Sequence, residues 1–288
     1  MQILTELNKN PNLSLALGYF DGVHLGHRAV IKSAVDFAHK NGNKSAVITF
    51  SDHPCCYFWG VCPKYILTRK EREKRIRELG VDYLYELDFE SISGLTAHEY
   101  LRDVLIKYFT PLSISTGWNH NFGFKKSGNV KFLSEQSKKY DYTYFELPPQ
   151  KIGSEIISRK LLSNGHIEKT NQMLGQNFSI EGEVVKGNQI GRTIGFRTAN
   201  LIYPPELIEL PYGVYSVDTN YGKGIANFGV RPTVNGSNAV LEIHILNFHK
   251  DIYGETLRAE FNKMIRAEKK FPSLNALKNQ ISIDIASI

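Results

Sequence analysis

Residues 15–32 read LALGYFDGVHLGHRAVIK, an apolar run of strand length that breaks into glycines and histidines and resumes with helical periodicity. Gly18, Gly22 and Gly26 surround His24 and His27 at the mouth of that helix. Glycine permits positive φ and close backbone approach, and the amides that open a helix have no intrahelical acceptors. With the partial positive charge of a helix start, such amides seat an anion, typically a phosphate. Two imidazoles beside that seat are placed to neutralise charge building on a transferring phosphoryl group. The plainer reading, a strand-to-helix turn with surface histidines, stays open on these residues alone.

Outward from this stretch, strand-like and helix-like segments alternate. SAVITF (45–50), VDYLYELDF (81–89) and PLSISTGW (111–118) read as strands. Between them, GHRAVIKSAVDFAHKNG ends at Gly42, TRKEREKRIRELG closes at Gly80, and TAHEYLRDVLIKYF opens on Thr96 with Glu99 in capping-box register. Such alternation predicts a parallel sheet covered by helices, with ligands beyond the carboxyl ends of its strands, where Gly18 to His27 lie. After a helical stretch at 158–175 the texture changes. FSIEGEVV, YGVYSVDTNYGKGIANFGV and AVLEIHILNF alternate as strands around Gly and Asn turns, and SLNALKNQISIDIA (273–286) closes the chain as an amphipathic helix. The expected fold is therefore α/β over residues 1–177, followed by a small antiparallel β-barrel with a C-terminal helix over 178–288.

The composition bounds the function. With 288 residues, 42% of them hydrophobic, the chain has enough material for two globular domains. No apolar stretch nears the roughly 20 residues that span a bilayer, and MQILTELNKN lacks a basic segment followed by an apolar core, so neither a membrane nor a secretory route is expected. The net charge of +6 suits anionic small molecules as well as nucleic acid, and its basic residues are scattered. TRKEREKRIRE (68–78) mixes both signs at helical spacing and reads as a solvated face, so no nucleic-acid partner is expected. Cys55, Cys56 and Cys62 are clustered and odd in number, which fits a reducing cytoplasm rather than a disulfide scaffold. With His53 beside them they suggest a metal site, but paired ligand spacing is missing elsewhere in the chain.

Gly18-Tyr19-Phe20-Asp21-Gly22-Val23-His24-Leu25-Gly26-His27 resembles the first nucleotide motif of nucleotidylyltransferases in the GxFDGxHxGH form of bacterial FAD synthetases. GEVVKGNQIGRTIGFRTANL (182–201) resembles the riboflavin kinase signature, G-x-V-x-x-G followed by GR-x-x-GFPTAN. YGVYSV, GIANFGVRPTV, LEIHIL, DIYG and IRAEKKFPSLNALKNQI follow in that family's order. Nearly the whole chain thus resembles the bifunctional bacterial riboflavin kinase/FMN adenylyltransferase family, in which a Rossmann-like nucleotidyltransferase domain precedes a riboflavin kinase barrel.

The resemblance implies two ATP- and Mg²⁺-dependent steps, riboflavin to FMN and FMN to FAD. A flavin phosphate is already anionic, so adenylylation needs alignment and charge stabilisation rather than a base. His24 and His27 are the implied catalytic residues there, with Gly18, Phe20, Asp21, Gly26, Ser154 and Arg159 at ATP and Asn119 at flavin. The ribityl hydroxyl of riboflavin is neutral and needs a carboxylate to accept its proton while Mg²⁺ steadies the γ-phosphate. Glu242 is the implied base, Thr198 and Asn200 the metal residues, Lys186, Gly187, Arg192 and Gly195 the phosphate contacts, and Arg266 and Glu268 the flavin contacts. Taken singly, Glu242 reads equally as a charge on the solvent face of an edge strand.

Departures from the family pattern are specific. Arg197 stands where GFPTAN has proline, Asn247 replaces an acid, and Asn119 to Gly123 replace DFRFG. Glu155 and Ile156 stand in a stretch that the family fills with serine or threonine. Arg197 is read as a handicap to the metal loop, or alternatively as a cation recruited to phosphate. Three rival readings follow: an enzyme with one active domain, a non-catalytic flavin- or nucleotide-binding regulator, or a nucleotidyltransferase acting on another phosphate ester, against which the second domain argues. Oligomeric state is left open.

Overall fold

In a computed structural model, which describes residues 1–150, 155–187, 195–233 and 236–288, the chain divides into two compact units. The first comprises Met1–Lys64 and Arg69–Glu155, the second Tyr65–Thr68 and Ile156–Ile288.

The first unit is built on strands β1 (Gln2–Leu4), β2 (Leu13–Leu17), β3 (Lys44–Phe50), β4 (Tyr83–Leu87), β5 (Ser113–Gly117) and β8 (Thr143–Leu147). They pair in the order β1-β4-β3-β2-β5-β8, every pairing parallel. β6 (Asn121–Phe122) and β7 (Gly128–Asn129) form a separate ribbon. β2 is buried at all five positions, as a central parallel strand must be. The chain leaves β2 towards β3 on one side, and β5 joins on the other, so the order reverses at β2. That switch point opens a crevice beyond the carboxyl ends of β2 and β5, and the glycine-rich turn follows β2 directly. Helix α1 (Leu25–Asn41) packs Val30, Ile31, Ala34, Val35 and Ala38 inward and ends on Gly42 at φ 68°.

Three local expectations need correction. α3 (Arg69–Arg77), after the short helix α2 (Pro54–Trp59), is not a solvated face. Glu71, Arg72 and Arg75 are buried, Arg75 donates to Glu71 at 2.8 Å, and Arg72 donates at 2.6 Å to the buried carboxylate of Glu86 in β4. Mixed charge at helical spacing lets these ions enter as pairs, the condition for burying them. The helix opened by the Thr96 capping box runs through a π-helical stretch at Tyr100–Ile106. The 158–175 region is two helices, Glu155–Ser163 and Ile167–Leu174, separated at Gly165 with φ 74°.

In the second unit, β10 (Ala199–Ile202), β13 (Gly236–Ile245), β12 (Gly222–Thr233), β11 (Gly213–Thr219), β14 (Thr256–Ala267) and β9 (Phe178–Glu183) pair antiparallel in that order. A bridge from Val185, just past β9, to Asn200 in β10 brings the two ends of the order together, so the sheet closes into a barrel. Helix Leu274–Ala286 follows, with Ser273 as its N-cap. Helices 155–163 and 167–174 cluster with this unit, and Asn171 ties them in by donating to the Phe261 carbonyl and accepting from the Phe178 amide.

Candidate active sites

The first site grows from the turn after β2. Phe20, Gly22 and Val23 all adopt positive φ (61°, 73° and 44°), so the chain doubles back sharply before α1. Gly18 is required for packing: a Cβ there would lie 2.8 Å from the Phe20 ring. His24 is the N-cap of α1, its Nδ1 accepting from the His27 amide at 3.2 Å. The two imidazoles stack 3.6 Å apart, and Phe20 meets His27 edge-on. Gly18, Phe20, Asp21, His24, Gly26 and His27 are thus gathered on one turn, with Asp21 and His24 buried.

Burial of His27, reinforced by His24 beside it, drives its pKa well below the ordinary value, so His27 is neutral at pH 7. Its Nδ1 is buried with no hydrogen-bond partner, and so is Nη1 of Arg28 in the same helical turn. The orphaned N–H of the Arg28 guanidinium at a helix N-terminus is what an arriving phosphate would satisfy. The sequence reading passed over Arg28, whose only signal was a cation following the motif's last histidine. His120, in the segment that replaces DFRFG, is held to about 4 by burial, and its Nε2 is also unpartnered. Asn119 is exposed beside it.

The second site lies in the barrel. Glu242 is on β13, which pairs with β10 on one side and β12 on the other, so it is not on an edge strand. Its register partners are Asn200 and Asn227. Directly paired residues of antiparallel strands project to one face, so a carboxylate and two amides share a surface. Glu242, Thr198, Asn227, Arg266 and Glu268 line one cavity of about 350 Å³. Arg266 is fixed by paired contacts to the buried Asp284 of the C-terminal helix, with Nη2 to Oδ2 at 2.9 Å. A second cavity of about 150 Å³ is lined by Arg197, Thr198, Phe248, Lys250, Asp251 and Tyr253, among others. Thr198 opens on both. Gly187 passes so close to Asn200 that a Cβ would sit 2.5 Å from its amide nitrogen.

Residues 6–161 match the FAD synthetase family model and residues 174–288 the riboflavin kinase model. The bifunctional riboflavin kinase/FMN adenylyltransferase of Haemophilus influenzae is 34% identical over 284 residues, 94% of this chain and 92% of that protein. This chain belongs to the bifunctional riboflavin kinase/FMN adenylyltransferase family. The Escherichia coli K12 member is 32% identical over 281 residues, 94% of this chain and 90% of that protein. A Streptococcus pneumoniae crystal structure, described as that of a macrolide-efflux protein, superposes with a TM-score of 0.90 at 31% identity, covering 99% of this chain and 98% of that one. No helix among the described residues is long and apolar enough to cross a membrane.

The loop that carries Arg197 and Thr198 is tied down at two points. Arg197 donates from Nη1 to the His249 carbonyl at 3.1 Å, and the Arg197 carbonyl accepts from His244 Nδ1 at 2.8 Å. Arg197 therefore braces the loop that carries Asn247, which sits at φ 56°, a conformation asparagine tolerates well. Of the family's other expected residues, Lys186 is exposed, and Gly195 has φ 91° with open space around it. Arg159 lies on helix 155–163 in the second unit. Ser154 and Arg192 lie outside the described residues. The cysteines correct the reading of three thiols, because Cys56 and Cys62 are joined in a disulfide that excludes Cys55.

Proposed function

We propose that this chain phosphorylates riboflavin to FMN in its barrel and adenylylates FMN to FAD at the turn after β2, using ATP in both steps. The observation that carries the reading is the placement of Thr198 at the join of two cavities, one of which also holds Glu242. A kinase needs a nucleotide and an alcohol that meet at the transferred phosphoryl group, with a carboxylate beside the alcohol. The larger cavity takes the flavin, with Arg266 and Glu268 at its wall, and the smaller takes nucleotide. Glu242 accepts the ribityl hydroxyl proton as oxygen attacks the γ-phosphorus, and the departing ADP keeps the bond electrons.

The donor set suits Mg²⁺. The Thr198 hydroxyl and the Asn200 amide are hard oxygen donors, and the close pass of Gly187 over Asn200 fixes that amide. Thr198 and Asn200 are the residues that would hold the ion, which supplies charge neutralisation on the phosphates.

At the first site, His24, His27 and the opening amides of α1 align ATP and stabilise charge on the departing pyrophosphate. His27 does so as a neutral imidazole whose N–H is shared with the Asp21 carbonyl. We assign the two activities to residues 1–177 and 178–288, and the reactions to the cytoplasm, where ATP is supplied. Incubating the pure protein with ATP, Mg²⁺ and either riboflavin or FMN, then separating the flavins, tests the reading. FMN and FAD from riboflavin, and FAD from FMN, are expected; unchanged flavins in both arms would overturn it.

A further inference from the structure

The Cys56–Cys62 disulfide lies outside the chemistry assigned above, but beside the first site. α2, which carries Cys56, has six residues and none of them is buried. A helix so short is not stable by itself, since nucleation costs more than a few hydrogen bonds return. It is held by three devices. The His53 side chain caps it by accepting from the Cys55 amide at 3.1 Å, Gly60 ends it at φ 65°, and the disulfide ties its middle to Cys62. Rings of Tyr57 and Phe58 rest against Phe89 at 5.8 and 5.5 Å, while Trp59 is largely exposed.

Contact with the nucleotide motif runs through the cap. The His53 ring meets Tyr19 edge-on at 4.7 Å, and Tyr19 stands between Gly18 and Phe20. The Arg72 guanidinium lies over the Tyr19 ring, 5.1 Å from its centre. Cys62 is exposed and Cys56 half-buried, so the bond is open to exchange with small thiols. A carboxylate oxygen of Asp52 lies within 4.8 Å of both sulfurs, where its charge repels an incoming thiolate and slows exchange.

We propose that Cys56 and Cys62 are a reversible redox-modification site that tunes the adenylylating half of the protein, an inference that rests on the reading of the first site as a transferase. Oxidation breaks two S–H bonds and joins the sulfurs. The two electrons and two protons pass to a small-molecule disulfide, which is cleaved to two thiols. The oxidised pair holds α2 and its His53 cap against Tyr19, and the reduced pair releases them. Where reduction leaves the closed turn populated about a tenth of the time, the KM for ATP in FMN adenylylation rises about tenfold, with riboflavin phosphorylation unchanged.

The test equilibrates the whole protein in buffers of oxidised and reduced glutathione. Alkylation under denaturing conditions, read by mass spectrometry, is expected to show one modified cysteine in the oxidised form and all three in the reduced form. Acrylamide quenching of Trp59 fluorescence, measured in Trp118→Phe, should increase on reduction whether or not the first site is active. C62S should behave as the reduced protein at every poise, and D52N should speed exchange. Uptake of three alkyl groups at every poise would overturn the proposal. So would equal KM values in the two forms, or equal quenching. FMN left unconverted in both redox forms, with a quenching change intact, would overturn the transferase reading and with it the regulatory role, but not the redox site.

Discussion

Arg197 donates to the carbonyl of His249 at 3.1 Å, joining the loop that carries Thr198 to the loop that carries Asn247. This brace is a role that the sequence, which leaves a choice between a handicap and a phosphate ligand, does not show. A proline would preset φ by its ring, whereas in this chain a side-chain hydrogen bond ties the loop down. Arg197→Pro removes the brace and should raise the KM for ATP in riboflavin phosphorylation about three- to tenfold, with kcat little changed. Arg197→Lys should retain part of the effect. Steady-state kinetics of the three proteins decide it, and a fall in KM on Arg197→Pro would restore the handicap reading.

His27 and Arg28 should separate by kinetic signature. An N–H that strengthens only as pyrophosphate departs acts on kcat, so His27→Ala should lower kcat for FAD formation about 100-fold. Arg28→Met removes a cation that the proposed ATP phosphates would meet in the ground state as well, and should raise the KM for ATP about tenfold. Equal kcat values in His27→Ala and parent would remove His27 from the chemistry.

Stability should fall on the acid side for a stated reason. His27 and His120 are both pushed below the ordinary 6.5, His120 to about 4. The unfolded chain therefore binds more protons than the folded one below about pH 6.5, and stability drops as pH falls towards those folded values. Thermal melts from pH 7.5 to 4.5 should show this, with a shallower decline in His120→Gln. A flat profile above pH 5 would contradict the burial of these rings.

The Glu86 carboxylate is fully buried and accepts from Arg72 at 2.6 Å, with Arg69 as a second partner. Glu86→Gln leaves the buried guanidinium of Arg72 without its counter-charge, at a cost of about 3 kcal/mol. Chemical denaturation should register that loss, while replacing both Glu86 and Arg72 by leucine should cost less. A neutral Glu86→Gln would show that water reaches Arg72.

Much of this was legible in the chain. Gly18 to His27 located the crevice because positive φ and helix capping are local demands, met by residues close in sequence. Alternation placed β2 to β5, β9 and β11 to β13 for the same reason. What stayed hidden was long-range. Arg72 looks solvated because its pairing with Glu86 in β4 is not visible at helical spacing, and the Glu71–Arg75 pair shows its spacing but not its burial. Asn227 joins Glu242 only through strand register, and Arg197 finds His249 across 52 residues. The Cys56–Cys62 bond depends on how tightly the turn after α2 closes, which spacing alone does not fix.

The central claim is that each half owns its reaction, and Glu242→Gln tests it most directly. The variant is supplied in parallel with riboflavin or with FMN, each with ATP and Mg²⁺, and the flavins are separated over time. FMN formation should drop at least about 100-fold, the usual worth of a general base, while FAD formation from supplied FMN stays at the parental rate. Riboflavin phosphorylation at the parental rate would contradict the account and return Glu242 to a structural role.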